Sequence, residues 1–66
     1  MKKEYYYDSN LHIICLPYSI DNLHKMANDL NISLRFFRQT HYKIPRAVLE
    51  IVETECILVE NIMELI

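Results

Sequence analysis

A chain of 66 residues has room for one small domain, because a chain this short hides only roughly 60% of the surface its unfolded form exposes. With 52% hydrophobic and 24% charged residues it is too apolar for intrinsic disorder, and with no glycine it lacks every phosphate-cradling loop and dinucleotide fingerprint. The formal charge of -2 would ordinarily argue against nucleic acid, but the charges are segregated along the chain, and local potential matters more than the sum.

The first segment sets Tyr5, Tyr6 and Tyr7 on one side of the turn formers Asp8, Ser9 and Asn10, and an aliphatic run on the other. It predicts a β-hairpin over residues 3–16. Ser19 is placed to cap a helix over about 20–30, with Asp21 complementing the dipole in its first turn and Ile20, Leu23, Ala27 and Leu30 along one face. Asn31 favours a left-handed turn, and Ser33 can cap whatever follows. Residues 34–43 then predict a second helix, with Leu34, Phe37 and His41 on one face and Arg35, Arg38, Gln39 and Tyr42 on the opposite one. Pro45 ends it, because proline biases Ile44 toward extended backbone. From about 46 to 66, Leu49, Val52, Cys56, Val59, Met63 and Ile66 recur in alternating steps of three and four. Ile51, Leu58, Ile62 and Leu65 widen that stripe, which predicts an amphipathic helix in need of a partner. A strand over 47–53 is the competing reading, weakened by poor alternation.

The expected fold is therefore mainly α: one helix-turn-helix domain over 1–66, with a short N-terminal β-hairpin and an amphipathic C-terminal helix. Charge follows these divisions. Residues 35–46 hold Arg35, Arg38, Lys43 and Arg46 with no acid, whereas Glu50, Glu53, Glu55, Glu60 and Glu64 stand beyond them with no base. A solvated band that pairs with the glutamates is the plainest reading of such a segment.

The stretch MANDLNISLRFF resembles the motif of helix-turn-helix regulators of bacteria and their phages over about a third of the chain. The following YKIPRAVLEI is faintly similar to the segment after the motif in excisionase-like DNA-binding domains, although Thr40 and His41 alone leave no room for a wing. The resemblance implies that Ser33, Arg35, Arg38, Gln39 and Tyr42 face the major groove of double-stranded DNA. Arg35, Arg38 and Gln39 would read bases, since arginine bridges guanine O6 and N7 and glutamine pairs with adenine N6 and N7. Lys43 and Arg46 would hold phosphates, which position without specifying.

The expected function is thus a sequence-specific transcriptional regulator or architectural factor of phage or mobile-element type, not an enzyme. Homodimers are the usual solution for one short motif, here with Val52, Cys56, Val59, Met63 and Ile66 at the interface. The alternative is a small protein-binding inhibitor or antitoxin-like module that presents its acidic helix to a host protein. No cofactor or metal is expected: His12 and Cys15, with His24, His41 and Cys56, lack paired ligand spacing. Two cysteines without a signal-peptide pattern point to the reducing cytoplasm, and the glutamates rule out a membrane span in the tail.

Overall fold

The computed structural model describes residues 4–65. Tyr5–Tyr7 form strand β1 and His12–Cys15 form β2, its antiparallel partner, with Tyr5 opposite Cys15 and Tyr7 opposite Ile13. Asp8 builds the turn between them. Its carbonyl accepts the Leu11 N–H at 3.1 Å, and its carboxylate Oδ1 accepts those of Asn10 and His12 at 3.0 and 3.2 Å. Leu11 takes φ 65°, the left-handed position that such a bulged turn normally gives to glycine. The expected hairpin is present, although Lys3 lies outside the described residues.

Helix α1, Ile20–Asp29, starts where the Ser19 hydroxyl accepts the Asn22 N–H at 3.0 Å. It buries Leu23, Met26 and Ala27, while Ile20, expected inside, stays 43% exposed. Asn31 makes the left-handed turn at φ 61°. Up to this point local signals decide the structure.

The second helix, expected over 34–43, does not form. Leu34–Phe36 makes one 3-10 turn capped by Ser33, Phe37 is already extended at φ -70° and ψ 131°, and Tyr42–Lys43 (β3) pairs antiparallel with β2. In a helix Tyr42 would share the wet face with Arg35. In the sheet it lies opposite Ile13 and is 1% exposed. Full burial of a large apolar side chain is worth about 2–3 kcal/mol, several times what helix propensity supplies per residue.

Helix α2, Arg46–Glu55, begins behind Pro45 at its N-cap, so residues 47–53 are helical rather than extended. It does not continue to 66. Cys56 is extended at φ -112° and ψ 171°, Ile57–Leu58 (β4) runs parallel to β1, and Ile62–Leu65 ends in a second 3-10 turn. A helix over 46–66 would be about 30 Å long at 1.5 Å per residue, longer than the 24 × 23 × 22 Å body. Folding back instead seals Cys56 and Ile62, both 0% exposed, into the chain's own core.

The result is a four-stranded mixed sheet of order β3-β2-β1-β4 with two helices. It is a small α/β fold, which corrects the mainly α helix-turn-helix expectation. Strand alternation puts Tyr5, Tyr7, Ile13, Cys15 and Tyr42 on one face. Helix α1 lies on that face: the Tyr5 hydroxyl donates to Asp29 Oδ2 at 2.9 Å, and His24 Nδ1 is 2.7 Å from the Tyr42 hydroxyl. His12 and Lys43, cross-strand partners, belong to the opposite face. The proposed dimer stripe is dispersed by the same fold. Val52 and Cys56 are interior, Val59 is half-buried, Met63 is 45% exposed, and Ile66 lies outside the described residues.

Candidate nucleic-acid interface

Phe37 and Tyr42 form an antiparallel bridge, and between them the chain reverses through Arg38, Gln39, Thr40 and His41. Two backbone hydrogen bonds close this tip: Arg38 N–H to the His41 carbonyl at 2.8 Å, and Thr40 N–H to the Arg38 carbonyl at 2.7 Å. The second bond closes a γ-turn centred on Gln39, whose φ is 68°. A positive-φ γ-turn on a residue with a Cβ is strained by about 1–2 kcal/mol. The Tyr18 hydroxyl braces it by donating to the Thr40 carbonyl at 2.8 Å.

The basic residues flank this tip along the chain. Arg38 donates through Nη1 to the carbonyls of Arg35 and Phe37 at 2.9 and 3.2 Å, so its side chain is tied to its own loop. The Arg35 guanidinium lies 5.0 Å from the centre of the Phe36 ring, a cation–π contact that holds the charge at the surface. Ser33, Arg35, Arg38, Gln39, Lys43 and Arg46 are all exposed. Among the described residues no carboxylate forms an ion pair with Arg35, Arg38, Lys43 or Arg46; the close acid–base pair is Asp8 with His12, at 3.6 Å. The band therefore does not neutralise itself on the glutamate tail.

Six of the seven residues expected to contact DNA, Ser33 included, are thus on the surface, on a ribbon tip, a 3-10 turn, a strand and the start of α2 rather than on one helix. Tyr42 is the exception. It is interior, its hydroxyl engaged by His24, and burial pushes its pKa up. His24 packs against both Phe37 and Tyr42, with ring centres 4.9 and 5.9 Å away. Beside them His24, Ala27, Asn28, Ile32, Leu34 and Tyr42 line an open cleft of about 390 Å³.

Sequence reasoning missed the histidines. His41, expected on the apolar face of a helix, lies with its ring 4.4 Å from that of His12. Burial lowers the His41 pKa, the His12 and Arg38 charges lower it further, and Asp8 opposes them. The one signal available was the H-x-x-C spacing at His12, which points to metal rather than to a ring pair. Among the described residues no cluster of three or more His, Cys, Asp or Glu is arranged to hold a metal ion. Cys15 and Cys56 are both buried free thiols.

Comparison with protein-family models, with curated proteins and with solved structures returned no match for this chain. No helix of the described residues is long and apolar enough to cross a membrane.

Proposed function

We propose that this chain is a small cytoplasmic double-stranded DNA-binding regulator or architectural factor that meets DNA through residues 33–46 as a basic ribbon and turn. The observation that carries this reading is the unneutralised exposure of Arg35, Arg38, Lys43 and Arg46 in a segment free of acids. A two-stranded ribbon fits the major groove as a helix does. Arg38 and Gln39 at the tip are the base readers, and Arg35, Lys43 and Arg46 hold phosphates. The strained, braced turn at Gln39 supports the reading, because stored backbone strain concentrates at binding sites.

The test is selection of fragments from random duplex DNA at moderate salt, followed by a salt titration. Three phosphate contacts give a log–log slope near -2.7, a loss of roughly fortyfold between 50 and 200 mM salt. Replacing Arg35 and Arg38 with Ala should abolish enrichment. An affinity that ignores salt would refute the proposal.

A second reading is favoured by the exposed Ile51, Leu58 and Met63, at 46%, 61% and 45%, set among Glu50, Glu53, Glu60 and Glu64. Exposed apolar residues set in an acidic segment suit a protein partner or a second copy of the chain. Its signature is binding that barely responds to salt. Leu58→Glu with Met63→Glu should abolish it and leave DNA affinity per chain unchanged.

A further inference from the structure

We propose that His12, His41 and Lys43, flanked by Arg38, form a phosphate-binding site that takes up a proton when it is filled. The inference rests on reading residues 33–46 as a nucleic-acid interface and deepens it, since the ligand is a phosphodiester of the DNA backbone. Free phosphate shares the chemistry and is the other possible source.

The geometry brings cations together without an answering acid at the surface. His12 and Lys43 are direct cross-strand partners, so their side chains are neighbours on one face of the sheet. His41 shares that face by alternation from Lys43, and its ring packs against that of His12 with centres 4.4 Å apart and planes tilted by 51°. Each Nδ1 is already oriented, that of His41 3.0 Å from Thr40 Oγ1 and that of His12 3.6 Å from Asp8 Oδ2. Among the described residues neither Nε2 has a hydrogen-bond partner. The charged or titratable groups around the pair are Asp8 in the hairpin turn, Arg38 at the tip, Lys43 on β3 and the Tyr18 hydroxyl below Thr40. Asp8 is the lone acid among them, 1% exposed and committed to the N–H groups of Asn10, His12 and Ile62.

In the free protein His41 is held neutral to lower pH than usual, chiefly by burial and further by the His12 and Arg38 charges, with Asp8 opposing. An anion docked between the two imidazoles reverses the balance. The imidazolium N–H groups become donors to phosphate oxygens, and charge-assisted bonds of this kind are roughly twice as strong as neutral ones. Each proton taken up makes affinity rise by at most tenfold per pH unit as pH falls.

The experiment measures affinity for a rhodamine-labelled duplex from pH 8 to 6 at fixed ionic strength, with calorimetry in two buffers of different ionisation enthalpy. Affinity should rise three- to tenfold toward pH 6, with proton uptake. His12→Gln with His41→Gln should flatten the profile, whereas Lys43→Ala should lower affinity at every pH and keep the slope. In a second arm the imidazole pKa values are followed by NMR with inorganic phosphate alone. Raised values there support a site that also takes free phosphate; raised values with duplex alone support a backbone-specific one. Duplex binding with a flat profile and no proton uptake, in the unaltered protein, overturns this inference and leaves the DNA reading standing. No duplex binding at low salt, with phosphate still raising both imidazoles, overturns the DNA reading and leaves the anion site. Silence in both arms overturns both.

Discussion

Asp8 holds two distant parts of the chain with one carboxylate. Oδ1 accepts the Asn10 and His12 N–H groups, and Oδ2 accepts that of Ile62 at 3.3 Å, across from the C-terminal turn. Asp8→Ala strands three backbone donors at a site 1% exposed, and should cost about 2–4 kcal/mol, because unsatisfied buried groups carry their full desolvation penalty. Asp8→Asn keeps an acceptor and should lose about half as much. Urea unfolding of both variants checks the order, and equal losses would mean that shape rather than acceptance matters. His41 acts with the same sign of pH dependence as a carboxylate held below its usual pKa, but in a higher pH window. Its folded pKa lies below 6.5, chiefly through burial, so the unfolded chain binds the proton more readily as pH falls. The contribution of His41 is present above pH about 6.5 and is lost between that value and the lower folded one. Stability measured from pH 7.5 to 5.5 should therefore fall, and His41→Gln should reduce the slope. An unchanged slope would assign the pH dependence to other groups.

At the level of elements, a chain without glycine has to make its left-handed turns with other residues, here Leu11, Asn31 and Gln39 at φ 65°, 61° and 68°. Asparagine tolerates this conformation and glutamine does not. Asn31→Ala should cost about 1 kcal/mol and Asn31→Gly only a few tenths, while Gln39→Gly should stabilise by up to about 1 kcal/mol and remove a base-reading side chain. Thermal melts of the three variants test whether these turns are strained as their φ values imply. Asn31 and the Ser19 cap were legible in the sequence because each depends on contacts within four residues. The hairpin was legible for the same reason, its turn chemistry lying wholly in residues 8–11. Residues 34–43 were not, since the apolar spacing of Leu34, Phe37 and His41 fits a helix, whereas Tyr42 is drawn to Ile13 in a strand far earlier in the chain. The stripe from Leu49 holds as a helix through Glu55 and fails where Ile57 and Leu58 meet Tyr6 and Tyr7. The candidate site follows the same division. The exposure of Gln39 and the exposure and charge of Arg35, Arg38, Lys43 and Arg46 could be read from composition, but the His12–His41 ring contact depends on a cross-strand register that no local pattern encodes.

For the molecule as a whole, the C-terminal segment closes the core rather than extending from it. Strand β4 lies on β1, Ile62 is 0% exposed, and its N–H is held by Asp8, so residues 57–65 supply a sheet edge, a core side chain and a hydrogen bond together. A domain of 66 residues has a stability of about 3–10 kcal/mol, and one buried isoleucine reduced to alanine typically costs about 2–5 kcal/mol. Ile62→Ala should therefore consume a fifth or more of the whole and lower Tm by about 10 °C or more. A chain ending after Cys56 should lose its cooperative melt altogether, because Tyr6, Tyr7 and Ile14 would be left without the strand and turn that cover them. Circular dichroism melts of the two forms decide between a structural closure and an arm exchanged between subunits. In the first case the shortened chain is unfolded at every concentration. In the second it keeps a cooperative transition as a monomer, and the core built around Asp8 and Ile62 is not what holds the sheet together.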